Sequence, residues 1–278
     1  MPFHFQALQN IVSHHLTLSL TIGSLLCILL LEHLLPHRAE AVGTWLRRGN
    51  NLSLAVLNHF SPIVTTPLIG ALMIQIVGLK IPPLVNLSAL DPALGFLATF
   101  FCLELWSYST HRLFHAIPWL WRFHLVHHSD ITVDATTSFR HHPIEIIINM
   151  LLSLPLMFLL RPDPVFVLMW SMTSNVIDVF NHGNLLLGKA DRWLSYLVVT
   201  PGFHRVHHSI DRHFTDSNFS NNVPWFDYVF GTVRQWTPLQ QAENPLGLGY
   251  FRDERNSCLD RLLIQPFMSR SKESKMLE

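Results

Sequence analysis

Residues 92–128 read P-A-L-G-F-L-A-T-F-F-C-L-E-L-W-S-Y-S-T-H-R-L-F-H-A-I-P-W-L-W-R-F-H-L-V-H-H, an apolar run that passes directly into histidines. His111 and His115 are four apart, and His124, His127 and His128 stand at i, i+3 and i+4, so on helices each set shares a face. The triplet returns at His204, His207 and His208 in H-R-V-H-H. A hydrophobic helix that delivers imidazoles at its end reads as a membrane segment leading into a metal-binding cap. The fold expected is all-α: a polytopic helical membrane protein of about four or five hydrophobic helices with a cytosolic helical cap.

Outward from that stretch, further apolar runs cover Leu16 to Leu35, Leu52 to Leu79, Ile144 to Leu160 and Pro164 to Phe180. The first is long enough, at 1.5 Å per residue, to cross about 30 Å of hydrocarbon. No Lys or Arg precedes it, which argues against a secretory signal. Pro62 and Pro67 interrupt the second run and predict a kink or a re-entrant segment. Only Arg161, Pro162 and Asp163 join the last two, so these form a helical hairpin. Arg38, Arg47 and Arg48 in the first loop place that loop on the cytoplasmic side. Alternating crossings then bring His111 and His182 to the same side, with the hairpin turn at Arg161 opposite. The expected organisation is transmembrane helices over 1–91, a catalytic region with further membrane helices over 92–235, and a polar tail over 236–278.

Composition supports the membrane class. Charged residues make up 14% of the 278 and apolar ones 49%, with mean hydropathy +0.27, against about a quarter charged in soluble proteins. Formal charge is zero, so nucleic acid is not an expected partner. Cys27, Cys102 and Cys258 form no C-x-x-C pair and imply no disulfide framework. Histidine is the outlier: eleven of 18 lie between His111 and His208, spaced and internal, unlike a tag.

His182 in N-H-G-N closes the fifth apolar run and brings the candidate ligands to nine: His111, His115, His124, His127, His128, His182, His204, His207 and His208. One tetrahedral zinc takes three or four protein ligands, so nine suit two ions with four or five each. Imidazole alone does not choose among zinc, copper, nickel and iron. Two all-histidine ions beneath apolar helices fit iron that activates dioxygen against an unactivated C–H bond. A zinc-dependent lipid hydrolase is an alternative, although H-E-x-x-H is absent. A non-catalytic metal-binding or transport protein is another, although its spans should then be lined with polar residues.

The motifs H-R-L-F-H, W-R-F-H-L-V-H-H-S, F-R-H-H-P-I-E (Phe139 to Glu145), N-H-G-N (Asn181 to Asn184), H-R-V-H-H-S (His204 to Ser209), and D-S-N-F through F-D-Y-V-F-G-T (Asp216 to Thr232) together resemble the fatty acid hydroxylase and sterol desaturase superfamily. The resemblance runs from about Phe96 to Thr232. It implies a membrane-bound oxygenase with two iron ions, or zinc after purification, that uses dioxygen and external electrons to hydroxylate or desaturate a fatty acyl, sterol or related lipid. It carries the nine histidines over as metal ligands. Some members have a tenth histidine where Asp178 stands here, so that Asp178 either ligates a metal in its place or leaves the site with nine ligands. The chain also departs at Phe226-Asp227, where Trp-Asp is usual, and at Ser220, where Gly is common.

Ligating imidazoles hold their second nitrogen against a carboxylate or carbonyl, which makes Asp130, Asp134, Glu145, Asp211, Asp216 and Asp227 candidates for that role. His142, before Pro143, either caps the following helix or bonds within the site. Asn218 either reaches the metals or holds a loop. With no G-x-G-x-x-G, no C-x-x-C cluster and no cytochrome segment, electrons are expected from a separate cytochrome, ferredoxin or reductase. A short chain of this kind points to a bacterial inner membrane.

Overall fold

Proline sets where many of the helices begin. Its fixed φ suits the first helical position, where no intrahelical donor is required, and Pro92, Pro118, Pro143, Pro164, Pro201 and Pro238 each open a helix. Most follow a capping side chain. Asp91 accepts from the Ala93 amide at 3.0 Å, Asp163 from Val165 at 2.8 Å and Thr200 from Phe203 at 3.2 Å.

The structure, a computed structural model, describes residues 2–39, 43–78 and 82–268, and among these it is helical with no strand. The helices are α1 (Pro2–Leu34), α2 (Thr44–His59), α3 (Ser61–Gly78), α4 (Pro92–Ala116), α5 (Pro118–His128), α6 (Pro143–Leu160), α7 (Pro164–Asn181), α8 (Lys189–Leu194), α9 (Pro201–His207), α10 (Arg212–Thr215), α11 (Trp225–Phe230), α12 (Pro238–Glu243) and α13 (Leu259–Ile264). A 3-10 turn, Ala135–Phe139, lies between α5 and α6.

α1 packs along α7, α3 along α6, and α4 along α5 and α7. At one end the α3–α4 link touches the α6–α7 turn: Leu84 N donates to Leu159 O at 2.8 Å and Ser88 N to Arg161 O at 3.0 Å. The C-termini of α4 and α7 and the N-terminus of α6 lie at the opposite end and carry His111, His115, His182 and Glu145. Alternation along the sequence thus gathers the histidines at one end of the stack. Two helical segments, His15–Leu34 and Pro143–Leu160, are long and apolar enough to cross a membrane, and in each only 6% of the apolar stretch is buried. Outward-facing Leu26 (63% exposed) and Leu30 (59%) illustrate a surface better matched to hydrocarbon than to water. Of the five predicted runs, these two meet that test among the described residues.

Three expectations change. The run Leu52 to Leu79 is not one element: α2 begins at Thr44, inside the stretch read as a polar loop, and a break at Phe60 separates it from α3. α2 buries Thr44, Arg47, Asn51 and Leu54, one per turn on a single face. Arg47 and Arg48 are also more than loop charges. Arg47 pairs with Asp130 at 2.8 Å and with Asp134, and Arg48, itself partly exposed, pairs with Asp134 at 2.8 Å and Glu32 at 3.4 Å; the three carboxylates and Arg47 are buried. Finally, residues 236–268 are not a tail. Leu248 and Leu262 complete a core with Leu54, Leu125 and Val126, while Trp236 and Leu246 pack on Val133 and Val206. Their apolar residues are too few and too scattered to show a helical period. Residues 269–278 lie outside the described part of the chain.

Candidate metal centre

Four helical elements bring the nine histidines together. α4 supplies His111 and His115, α5 supplies His124, His127 and His128, the end of α7 supplies His182, and α9 with its cap supplies His204, His207 and His208. They separate into two sets. His111, His115, His124, His128 and His207 form one, and His127, His182, His204 and His208 form the other. Each triplet is therefore split: the i, i+4 pair of α5 joins the first set and that of α9 the second, while the i+3 histidine crosses to the other set. A single convergent face per triplet, as the spacing suggests, is not what the fold uses.

The nitrogens that meet are Nε2. His111 Nε2 lies 3.1 Å from His124 Nε2, and His128 Nε2 lies 3.2 Å from it. In the second set His127 and His182 meet at 3.2 Å, His182 and His204 at 3.1 Å, and His204 and His208 at 3.3 Å. Two nitrogens each about 2.1 Å from one ion are about 3.0 Å apart at a right angle and about 3.4 Å apart at the tetrahedral angle. The observed spacings fall between.

Protonation sharpens the point. His111 Nδ1 donates to Phe219 O at 2.7 Å, His207 Nδ1 to Ser217 O at 2.7 Å and His182 Nδ1 to Asp178 O at 2.8 Å. A carbonyl oxygen only accepts, so in each neutral ring the proton sits on Nδ1 and Nε2 is a bare lone pair. Burial, with repulsion from neighbouring imidazoles, holds His111, His115, His127, His128, His204 and His208 well below the usual histidine range; burial pulls His207 down to about 3. Nε2 of His115 and of His207 has no hydrogen-bond partner among the described residues. Converging lone pairs on neutral rings repel unless a cation lies among them, and neutral imidazole is the metal-binding form. The donor set therefore fits two ions, and its all-nitrogen chemistry suits iron, zinc or copper rather than magnesium or calcium.

The remaining candidates divide. Glu145 accepts from His124 Nδ1 at 2.7 Å and from His141 at 3.1 Å, and Asp216 accepts from His115 Nδ1 at 3.1 Å. Asp178 lies behind His182, with Oδ1 3.5 Å from Nδ1 and not among the converging atoms. Asp227 acts one step away, accepting from the Phe219 and Ser220 amides at 2.8 Å and so fixing the loop whose carbonyl holds His111. Asp130 and Asp134 are committed to Arg47, and Asp211 caps α10. His142 accepts from Ile144 N at 3.1 Å and contacts Leu263 O, so its role is to cap α6. Asn218, at φ 53°, bonds Phe203 O and Arg234 as a loop clamp.

His141 was not among the expected site residues. Its ring stacks on His127 at 4.5 Å and 9°, and its i, i+4 spacing to Glu145 in F-R-H-H-P-I-E was the available signal. Carboxylates beside it raise the His141 pKa against the cost of burial. Glu104 was also missed. Buried in α4, it accepts from Trp170 Nε1 and Asn222 Nδ2, both at 2.5 Å, and ties the 219–223 loop to α4 and α7.

The family model for fatty acid hydroxylase matches residues 96–232. The chain is 30% identical over 146 residues to an ornithine lipid hydroxylase of Rhizobium tropici, covering 52% of this chain and 43% of that one. It is 30% identical over 139 residues to a very-long-chain aldehyde decarbonylase of Oryza sativa subsp. indica (47% and 22%), and 28% identical over 134 residues to an alkylglycerol monooxygenase of Xenopus tropicalis (48% and 29%). The match thus spans less than half the length of each relative. No solved structure matches the chain. Over the region that holds all nine clustered histidines, this chain belongs to the fatty acid hydroxylase and sterol desaturase superfamily.

Proposed function

We propose that this protein is a membrane-bound, non-haem di-iron oxygenase that hydroxylates or desaturates a C–H bond of a lipid. The observation that carries this reading is the convergence of nine imidazoles into sets of five and four, at the end of a stack of apolar helices. His111, His115, His124, His128 and His207 would hold one iron, and His127, His182, His204 and His208 the other. Iron bound there would supply the reduction of dioxygen, with electrons from a separate cytochrome, ferredoxin or reductase, and the oxidation of the substrate.

The chain's own residues do three things. Glu145, Asp216 and the carbonyls of Phe219, Ser217 and Asp178 accept hydrogen bonds from the Nδ1–H groups and so turn Nε2 inward. Phe219, edge-on to His111, His115 and His207 at 5.2–5.8 Å, and Trp121, 4.9 Å from His115, wall the imidazoles from water. The apolar helices α4, α6 and α7, whose ends meet the sets, would hold the lipid chain in the bilayer, with the metal centre on the cytoplasmic side. Hydroxylation and desaturation then differ only in how the substrate C–H bonds are placed.

Comparing the lipids of cells with and without the chain tests the reaction, and iron analysis of the purified protein tests the cofactor. A hydroxylated or newly unsaturated lipid that requires the chain is expected. Unchanged lipids in cells whose purified protein holds iron would remove the oxygenase reading, and a zinc protein that releases a fatty acid would replace it with a hydrolase.

A further inference from the structure

We infer that the two sets of histidines hold their ions unequally: the five-imidazole set binds first and tightly, and the four-imidazole set binds weakly and exchanges. The inference rests on the metal-centre reading above and concerns how the surrounding protein divides between the sets.

In the first set, four of the five rings are braced through Nδ1 by protein oxygens: His111 by Phe219 O, His115 by Asp216, His124 by Glu145 and His207 by Ser217 O. In the second, among the described residues only His182 is, by Asp178 O. Nδ1 of His127, His204 and His208 is buried without a hydrogen-bond partner among the described residues. An outer acceptor fixes the tautomer, aims Nε2 and makes it more basic, and losing one typically costs about 10–100-fold in metal affinity. The second set is poorer in ligands as well as in braces. Asp178 does not make up the difference, because its carboxylate stands at the outer nitrogen of His182 rather than among the inward ones. His127 is instead held by the flat stack of His141, which restrains the ring without accepting its proton.

The test is a titration of the metal-stripped, full-length protein in detergent with Zn(II) against a chromophoric chelator, followed by elemental analysis. Two steps are expected, with dissociation constants at least about tenfold apart. Asp216→Ala, which removes the brace on His115, should weaken the tight step about 10–100-fold and leave the weak step in place. His204→Ala should remove the weak step and leave one ion tightly bound. A variant that merely destabilised the fold would move both steps, which gives the comparison its control. Two ions of equal affinity, or an Asp216→Ala effect confined to the weaker step, would overturn the inference while leaving the metal centre intact. A protein that binds no ion overturns both.

Discussion

Helices α5 and α9 carry nearly the same five letters, H-L-V-H-H and H-R-V-H-H, and use them in opposite senses. The outer pair of α5, His124 and His128, enters the five-imidazole set, whereas the outer pair of α9, His204 and His208, enters the four-imidazole set. The residues between them differ too. Leu125 and Val126 sink into the core with Leu54, Leu248 and Leu262. Arg205 is equally buried, but it donates to Gln241 Oε1 at 3.1 Å and to Gly183 O at 3.3 Å, beside the glycine that follows His182. Helical spacing decides which imidazoles share a face. Which of them converge in one set is decided by what the helix packs against.

The sharpest way to break the comparison is to remove the crossing histidine from each helix. His127→Ala takes a ligand from the four-imidazole set and His207→Ala from the five; both should reduce lipid product to background, as measured by mass spectrometry of cell lipids. The next effect is shared by both helices. His127 and His128 of α5 and His204, His207 and His208 of α9 all have folded pKa values below the ordinary 6.5. Above 6.5 these rings are neutral whether the chain is folded or not. As pH falls below that value the unfolded chain takes up protons and the folded chain does not, so stability is lost at about 1.4 kcal/mol per pH unit per histidine. Thermal unfolding of metal-stripped protein should therefore give a much lower midpoint at about pH 5.5 than at about pH 7.5.

Exchanging the middle residues separates the helices again. Leu125→Arg buries a charge without a partner and should cost about 3–5 kcal/mol. Arg205→Leu leaves Gln241 and the Gly183 carbonyl short of a donor and should cost about 1–3 kcal/mol. Both are read from thermal unfolding in detergent. The smallest change tests the edge of the site: Arg212, 64% exposed and paired with Asp216, should be replaceable by Ala for at most about 0.5 kcal/mol.

The clustering of the nine histidines was legible because its signal is local. Imidazoles at i, i+3 and i+4 need only a helix to converge, and Asp-Pro or Thr-Pro pairs mark where several helices start. The topology was partly legible for a similar reason, since alternating apolar runs send the histidine ends of α4 and α7 the same way. Residues whose role depends on distant partners were misread. Asp130 and Asp134 look like acceptors for the outer nitrogens of H-L-V-H-H but belong to Arg47 of α2, more than eighty positions away. His141 and His142 are neighbours in sequence, yet one stacks in the centre and the other caps α6.

Residue type and spacing alone therefore established nine candidate nitrogens, enough for two ions, and the apolar runs that lead to them, because both follow from the periodicity of a single helix. The tertiary structure decided the division into five and four and the bracing of the rings by the carbonyls of Phe219, Ser217 and Asp178. It also decided the folding of residues 236–268 onto α2 and α5. Those features depend on the relative placement of elements far apart in the chain, and a backbone carbonyl leaves no mark on the residue that carries it.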